Sequence, residues 1–167
     1  MDFNSSSRAD KELEELYKRH IDTVYRLCYM YLKNTSDAED AVSTVFLKLL
    51  KNPKNFQDRE HEKAWLICTA RNTCKDILKH WWNTWRVDLE DLPEVPTWDN
   101  QDQAGTVLSA LLSLPEKYRT VMYLYYFEGY SVREISNMLE RKESTLQTQL
   151  AKGRKLLKID LEGYIRG

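Results

Sequence analysis

The chain has 167 residues, 31% charged and 42% apolar, with 25 basic against 26 acidic side chains. That length supports one domain or two small ones, and the composition fits a folded, very soluble protein and excludes a disordered one. No apolar run approaches the roughly 20 residues needed to span a bilayer, and the opening MDFNSSSRAD lacks a signal-peptide core, so a cytoplasmic protein without membrane insertion is expected.

Residues 1–10 read as an N-terminal arm without an assigned role. From there, Leu13, Leu16, Tyr17, Ile21, Val24, Tyr25, Cys28, Tyr31 and Leu32 fall at helical spacing and predict one long amphipathic helix. A second helix is expected to open with a capping box from Ser36 to Glu39. Its inner stripe is Ala38, Ala41, Val42, Val45, Phe46, Leu49 and Leu50, which leaves Asp37, Asp40, Thr44, Leu47 and Lys48 pointing outward. Leu47, exposed beside acids, is either an anchor for a partner helix or an ordinary surface leucine.

Residues 51–62, broken by Asn52-Pro53, read as a loop. A third helix is predicted from about Lys63 into His80, with Leu66, Ile67, Ala70, Cys74, Ile77, Leu78 and Trp81 on its inner face. The opposite face carries Trp65, Thr69, Asn72, Lys75 and Lys79, with Arg71 at the edge. Cations that track a backbone beside a ring that stacks on bases suit single-stranded nucleic acid, whereas a core role for Trp65 would leave only the cations.

Residues 83–103 hold one Arg and six acids, together with Pro93 and Pro96. Such a stretch cannot be helical throughout, and its like charges extend it, so an acidic extended linker is expected over 83–104. It separates a segment 11–82 from a segment 105–167, each small for independent folding. The flanks are basic: four basic residues and one acid over 63–79, then seven basic and three acidic over 131–158. Basic patches on both sides of an acidic tether suit a polyanion touched at two places, although solvated helix faces read the same way.

In the second segment, Leu108, Leu111, Leu112 and Leu114 precede Pro115, which is expected at the first helical position. Tyr118, Val121, Met122 and Tyr125 would then face inward, and Glu128-Gly129 would end the helix. A capping box, Ser131 to Glu134, opens a short helix with Ile135, Met138 and Leu139 inside. After a tight turn at residues 140–142, a longer helix has the inner stripe Leu146, Leu150, Gly153 and Leu157. This is the pattern of a helix-turn-helix. Ser144, Gln147, Thr148, Ala151, Lys152 and Lys155 point outward. Those near its start would reach base edges, with Gln147 suited to adenine, while Lys152, Arg154, Lys155 and Lys158 would meet phosphates.

AEDAVSTVFLKLLK (38–51), AWLICTARNTCKDIL (64–78) and residues 111–158, with L-P-E, F-E-G and G-R-K-L-L, occur in that order. Together they resemble the extracytoplasmic-function (ECF) sigma factors of bacterial RNA polymerase, within the sigma-70 family. The resemblance implies an all-α promoter-specificity factor of two small helical domains, the second with the helix-turn-helix. It makes core RNA polymerase and promoter DNA the partners, with an anti-sigma factor as a further candidate. By resemblance, Asp37, Asp40, Thr44, Leu47 and Lys48 would dock on the clamp helices of the polymerase's largest subunit, with the flap as a second contact. Asn55, Phe56, Arg59 and Lys63 would capture a flipped −10 base, and Trp65, Arg71, Asn72 and Lys75 would guide the opened strand. Ser144, Thr145, Gln147, Thr148, Lys152, Arg154 and Lys155 would read the −35 element.

The chain departs from the family's usual recognition helix. Gln147 and Gln149 stand where cations are usual, Ser144 and Glu140 replace glycines, and Lys142 replaces a capping serine. Fewer cations imply a shallower salt dependence of DNA binding. A stand-alone helix-turn-helix regulator and a protein-binding helical adaptor are the rival readings. No enzyme, cofactor or metal site is expected. His20, His61 and His80 have no ligand spacing with the odd set Cys28, Cys68 and Cys74, and no phosphate loop or nucleophile elbow is present.

Overall fold

The computed structural model of the chain describes residues 3–85 and 103–157, and among these no strand occurs. The chain divides into two compact units, Met1–Arg86 and Val87–Gly167. Most of the expected linker, residues 86–102, and Lys158 lie outside the described residues.

The first unit packs helices α1 (Phe3–Leu32), α2 (Thr35–Lys51) and α3 (Arg59–Trp85) on one another. Helix α1 takes in most of what reads as an arm. Its polar first half is laced by the exposed i,i+4 pairs Arg8–Glu12 and Glu14–Lys18, which favour helix by a few tenths of a kcal/mol each (about 0.2–0.5). Val24, Leu27, Cys28, Met30 and Leu32 are fully buried, whereas Tyr17 is 44% exposed. Lys33, in the left-handed region at φ 56°, ends the helix.

The cap of α2 is Asn34, whose side chain accepts from the Asp37 N–H at 3.1 Å, so the expected Ser36–Glu39 box does not form and Ser36 sits inside the first turn. Ala38, Ala41, Val42, Val45, Phe46 and Leu49 are buried as predicted, but Leu50 is 56% exposed. Leu50 lies on the Phe46–Leu47 edge of the stripe, where it shares an open groove with Leu13 and Tyr17 of α1.

Helix α3 starts four residues earlier than predicted and ends later. Asp58 Oδ1 accepts from the His61 N–H at 2.8 Å, and His61 Nδ1 accepts from the Gln57 N–H at 3.2 Å. This reciprocal cap satisfies the first-turn donors and shortens the loop to residues 52–58. Leu66, Ile67, Ala70, Cys74 and Leu78 are buried; Ile77 and Trp81 are half-buried. The Cys74 thiol, hydrogen-bonded to Cys28 and buried, has its pKa driven far upward, so it is an inert core group. Glu62, itself buried, accepts from Arg19 Nη2 at 2.9 Å and lies 2.5 Å from His20 Nε2, tying α3 to α1.

In the second unit, α4 (Gln103–Leu112) leads to α5 (Glu116–Met122), a π-helical turn (Tyr123–Phe127), α6 (Val132–Leu139) and α7 (Glu143–Leu157). Pro115, at ψ 147°, is the cap of α5 rather than its first residue. The π turn carries one more residue per turn than an α-helix and so shifts the inner face. Tyr123, Leu124 and Tyr126 are buried, and the predicted inward Tyr125 is only half-buried. Gly129, at φ 78°, makes the expected left-handed exit.

Ser131 and Glu134 form the predicted capping box at the start of α6. Between α6 and α7, Glu140 occupies the left-handed region at φ 55°, where glycine would be unstrained. Ser136 Oγ closes this turn by donating to the Arg141 carbonyl at 2.5 Å. Ile135, Met138 and Leu139 of α6 and Leu146, Leu150, Gly153 and Leu157 of α7 are buried.

Candidate protein and nucleic-acid interfaces

Three surfaces stand out, and each is set by which side of its helix the core consumes. On α2, the buried stripe leaves Leu47 53% exposed beside Leu50. With Leu13, Tyr17, Ser43 and Phe46 they line a groove of about 580 Å³ between α1 and α2, rimmed by Asp10 and Glu14. Its floor is ordered by the edge-to-face pair Tyr17–Phe46, with ring centroids 4.8 Å apart. Exposed leucines in an apolar groove with an acidic rim suit an amphipathic helix carrying basic flanks.

Asp37 and Asp40 lie on the same helix, and burial, then repulsion from Asp40, raise the Asp37 pKa above the ordinary carboxylate value. Thr44 donates to the Asp40 carbonyl at 3.0 Å. Lys48 differs from its neighbours: its ammonium donates to Thr73 Oγ1 on α3 at 2.9 Å, and Thr73 donates in turn to the Thr69 carbonyl at 2.8 Å. Its charge is held between two helices, a tie that a helical wheel cannot reveal.

The second surface is the loop 52–58 and the outer side of α3. Phe56 packs against His61 at 5.4 Å and Trp65 at 5.8 Å, so loop and helix share one aromatic cluster. Trp65 is half-buried there, neither a core residue nor a fully exposed platform. Asn55 and Arg59 are exposed and Lys63 is half-buried. The loop residues Lys54, Asn55 and Phe56 also line a cleft of about 650 Å³ with Arg19 and Glu62. Along α3, Arg71 is half-buried and donates to Asn72 Oδ1 at 3.1 Å, while Asn72, Lys75 and Lys79 are exposed. Sequence reasoning missed Asp58, whose D-x-x-H spacing to His61 is the signal that fixes the loop's exit.

The third surface is α7. Ser144, Thr145, Gln147, Thr148, Lys152, Arg154 and Lys155 are all exposed, and Gln149 is half-buried where Arg141 Nη1 donates to it at 3.2 Å. Arg154 donates to the Tyr126 hydroxyl at 2.7 Å, so this cation also straps α7 to the π turn. The helix approaches α5 closely at Gly153, where a Cβ would lie 2.8 Å from the Met122 sulfur. Among the described residues no group of three or more His, Cys, Asp and Glu could hold a metal ion, and no helix is long and apolar enough to cross a membrane.

Residues 16–84 match the family description Sigma-70 region 2, and residues 104–157 match Sigma-70, region 4. Over 157 residues the chain is 32% identical to the ECF RNA polymerase sigma factor SigE of Mycolicibacterium smegmatis, covering 87% of this chain and 60% of that protein. It is 28% identical to the ECF RNA polymerase sigma factor SigW of Bacillus subtilis, covering 90% of this chain and 87% of that one. It is 30% identical to the RNA polymerase sigma factor SigZ of Bacillus subtilis, covering 79% and 77%. The fold is similar to that of the sigma factor RpoE of Bartonella quintana, solved in complex with the anti-sigma factor NepR, with a TM-score of 0.68 at 16% identity over 89% of this chain and 95% of that one.

Proposed function

The chain belongs to the ECF branch of the sigma-70 family, non-enzymatic factors that direct RNA polymerase to promoters, and we propose that it does so through the three surfaces just described. The α1–α2 groove, with Leu47 and Leu50 at its mouth and Asp37, Asp40 and Thr44 beside it, docks on the clamp helices of the largest polymerase subunit. The second unit meets the flap. Lys48 supports this surface from the Thr73 side.

The loop 52–58, with Asn55 and Phe56, and the start of α3, with Arg59 and Lys63, receive a base flipped from the −10 strand. Flipping costs a few kcal/mol of unstacking, which stacking and hydrogen bonds in the pocket offset. Trp65, Arg71, Asn72 and Lys75 guide the opened strand. Helix α7 enters the major groove of the −35 element: Ser144, Thr145, Gln147 and Thr148 reach base edges, and Lys152, Arg154 and Lys155 meet phosphates.

The observation that supports this reading best is the pairing of surface and region. The α2 side of the leucine groove, with Leu47 and Leu50, and the α3 face lie within the stretch similar to region 2, and the exposed polar face of α7 lies within the stretch similar to region 4. A factor acting on polymerase at promoters works in the cytoplasm. An anti-sigma protein completes the proposed partners, since the similar sigma factor RpoE of Bartonella quintana was solved in complex with the anti-sigma factor NepR.

Reconstitution with bacterial core RNA polymerase tests the whole. We expect a stable complex by size exclusion and discrete transcript starts from a genomic promoter library. Sequence-specific duplex binding by the chain alone, with no complex, would instead make it a stand-alone helix-turn-helix regulator.

A further inference from the structure

Helix α3 runs to Trp85, and its last turns carry a side chain that neither the core nor the surfaces above absorb. Trp82 is 60% exposed, while Leu78 is buried and Trp81 half-buried on the inner side. The ring has a specific position. Arg71, Lys75 and Trp82 stand at i, i+4 and i+11, three helical turns in register, and Lys79 lies one turn before Trp82. From Lys63 to Trp85 the only carboxylate is Asp76, about a third of a turn away from Trp82 around the helix. His80 and Asn83, the polar neighbours of the ring, are exposed.

The ring stands at the end of a row of cations, which is the arrangement that suits a nucleic-acid strand: ammonium and guanidinium groups along the backbone, a flat apolar face for a base. Trp65 lies about 25 Å away at the other end of the helix, packed beside Phe56. We propose that Trp82 stacks on an unpaired base of opened promoter DNA whose backbone follows Arg71, Lys75 and Lys79. This rests on the reading of α3 as the −10 face and extends that face to the helix's C-terminal end.

The test titrates the full chain into a labelled, mixed-sequence single-stranded 20-mer by fluorescence anisotropy over a range of salt. Melting temperature and core-polymerase binding are measured on the same preparations. Trp82→Ala should weaken binding about tenfold with the salt slope unchanged, and Trp82→Phe should stay within about threefold of the native chain. Lys75→Gln should lower the slope by about 0.7. Unchanged affinity for Trp82→Ala overturns the proposal, as does an undetectable affinity of the native chain at low salt. Loss of core binding with DNA affinity intact would assign the ring to the polymerase and likewise overturn it. If Arg71→Gln and Lys75→Gln both leave affinity and slope unchanged, the −10 reading of α3 is what fails. An effect at those two with none at Trp82 removes Trp82 alone.

Discussion

Arg154 and Tyr126 are joined by a 2.7 Å hydrogen bond from guanidinium to hydroxyl, across 28 residues of chain. The bond couples the helix that would read DNA to the π turn, and the turn is what rotates Tyr126 into reach. Tyr126→Phe should therefore cost about 1 kcal/mol and lower the melting temperature of the second unit by about 4–8 °C. Its duplex-binding salt slope should not change. Arg154→Gln should destabilise similarly and, if Arg154 meets a phosphate as proposed, also reduce that slope by about 0.9. A Tyr126→Phe variant that melts like the parent would show that the strap contributes nothing.

Leu47 and Leu50 are each more than half exposed, so the fold does not depend on them. Replacing either with glutamate should change stability by no more than about 0.5 kcal/mol. If the groove is the docking surface, each change places a charge against an apolar partner in a rim that already holds Asp10 and Glu14. We expect core-polymerase affinity to fall about 30-fold or more, the scale of a hot-spot residue. Competition for core against a reference sigma factor gives the number, and normal binding by both variants would move the docking surface elsewhere.

Gly153 marks the closest approach of α7 to α5, with a Cβ position 2.8 Å from the sulfur and 2.9 Å from Cγ of Met122. Alanine there gains about 1 kcal/mol in helix propensity but forces Met122 to move, at about 1–3 kcal/mol for overpacking. The net expectation is modest destabilisation of the second unit. In a double-mutant cycle, Met122→Ala and Gly153→Ala together should cost less than their sum, since the added methyl enters the space the methionine leaves. Additive losses in chemical denaturation would mean that the two helices do not touch as described.

The helix-turn-helix was the most legible part of the chain, because each of its signals is local. Ser131 caps with Glu134, Gly129 takes the left-handed exit, and the leucines four apart fix the rotation of α7. From that rotation the exposure of Gln147 and Thr148 followed. The failures share a cause as well. Periodicity names a stripe but not where a neighbouring helix stops covering it, so it assigns Leu50 to the core although Leu50 is exposed. It assumes 3.6 residues per turn, so the π turn displaced Tyr125 from the inner face. Caps compete: Asn34 took the role expected of Ser36, and Asp58 drew α3 four residues forward. A long side chain can also leave its own face, as Lys48 does to reach Thr73.

Gln147 and Lys152 are both exposed on α7 but lie about 140° apart around the helix, and they should fail in different ways. A glutamine can pair twice with one adenine edge, so Gln147→Ala should cost about 1–3 kcal/mol on promoters carrying that base and little on others. Lys152→Gln would remove the proposed phosphate contact. It should weaken every promoter alike and lower the salt slope by about 0.9. Core-polymerase affinity should be the same for both variants, because the proposed roles of both residues are toward DNA and not toward the polymerase. Transcription from a randomised −35 library separates the two behaviours: a changed sequence preference for Gln147→Ala, an unchanged preference at lower output for Lys152→Gln. Uniform loss from Gln147→Ala would make that residue a backbone contact, and the base-reading role would pass to Ser144 or Thr148.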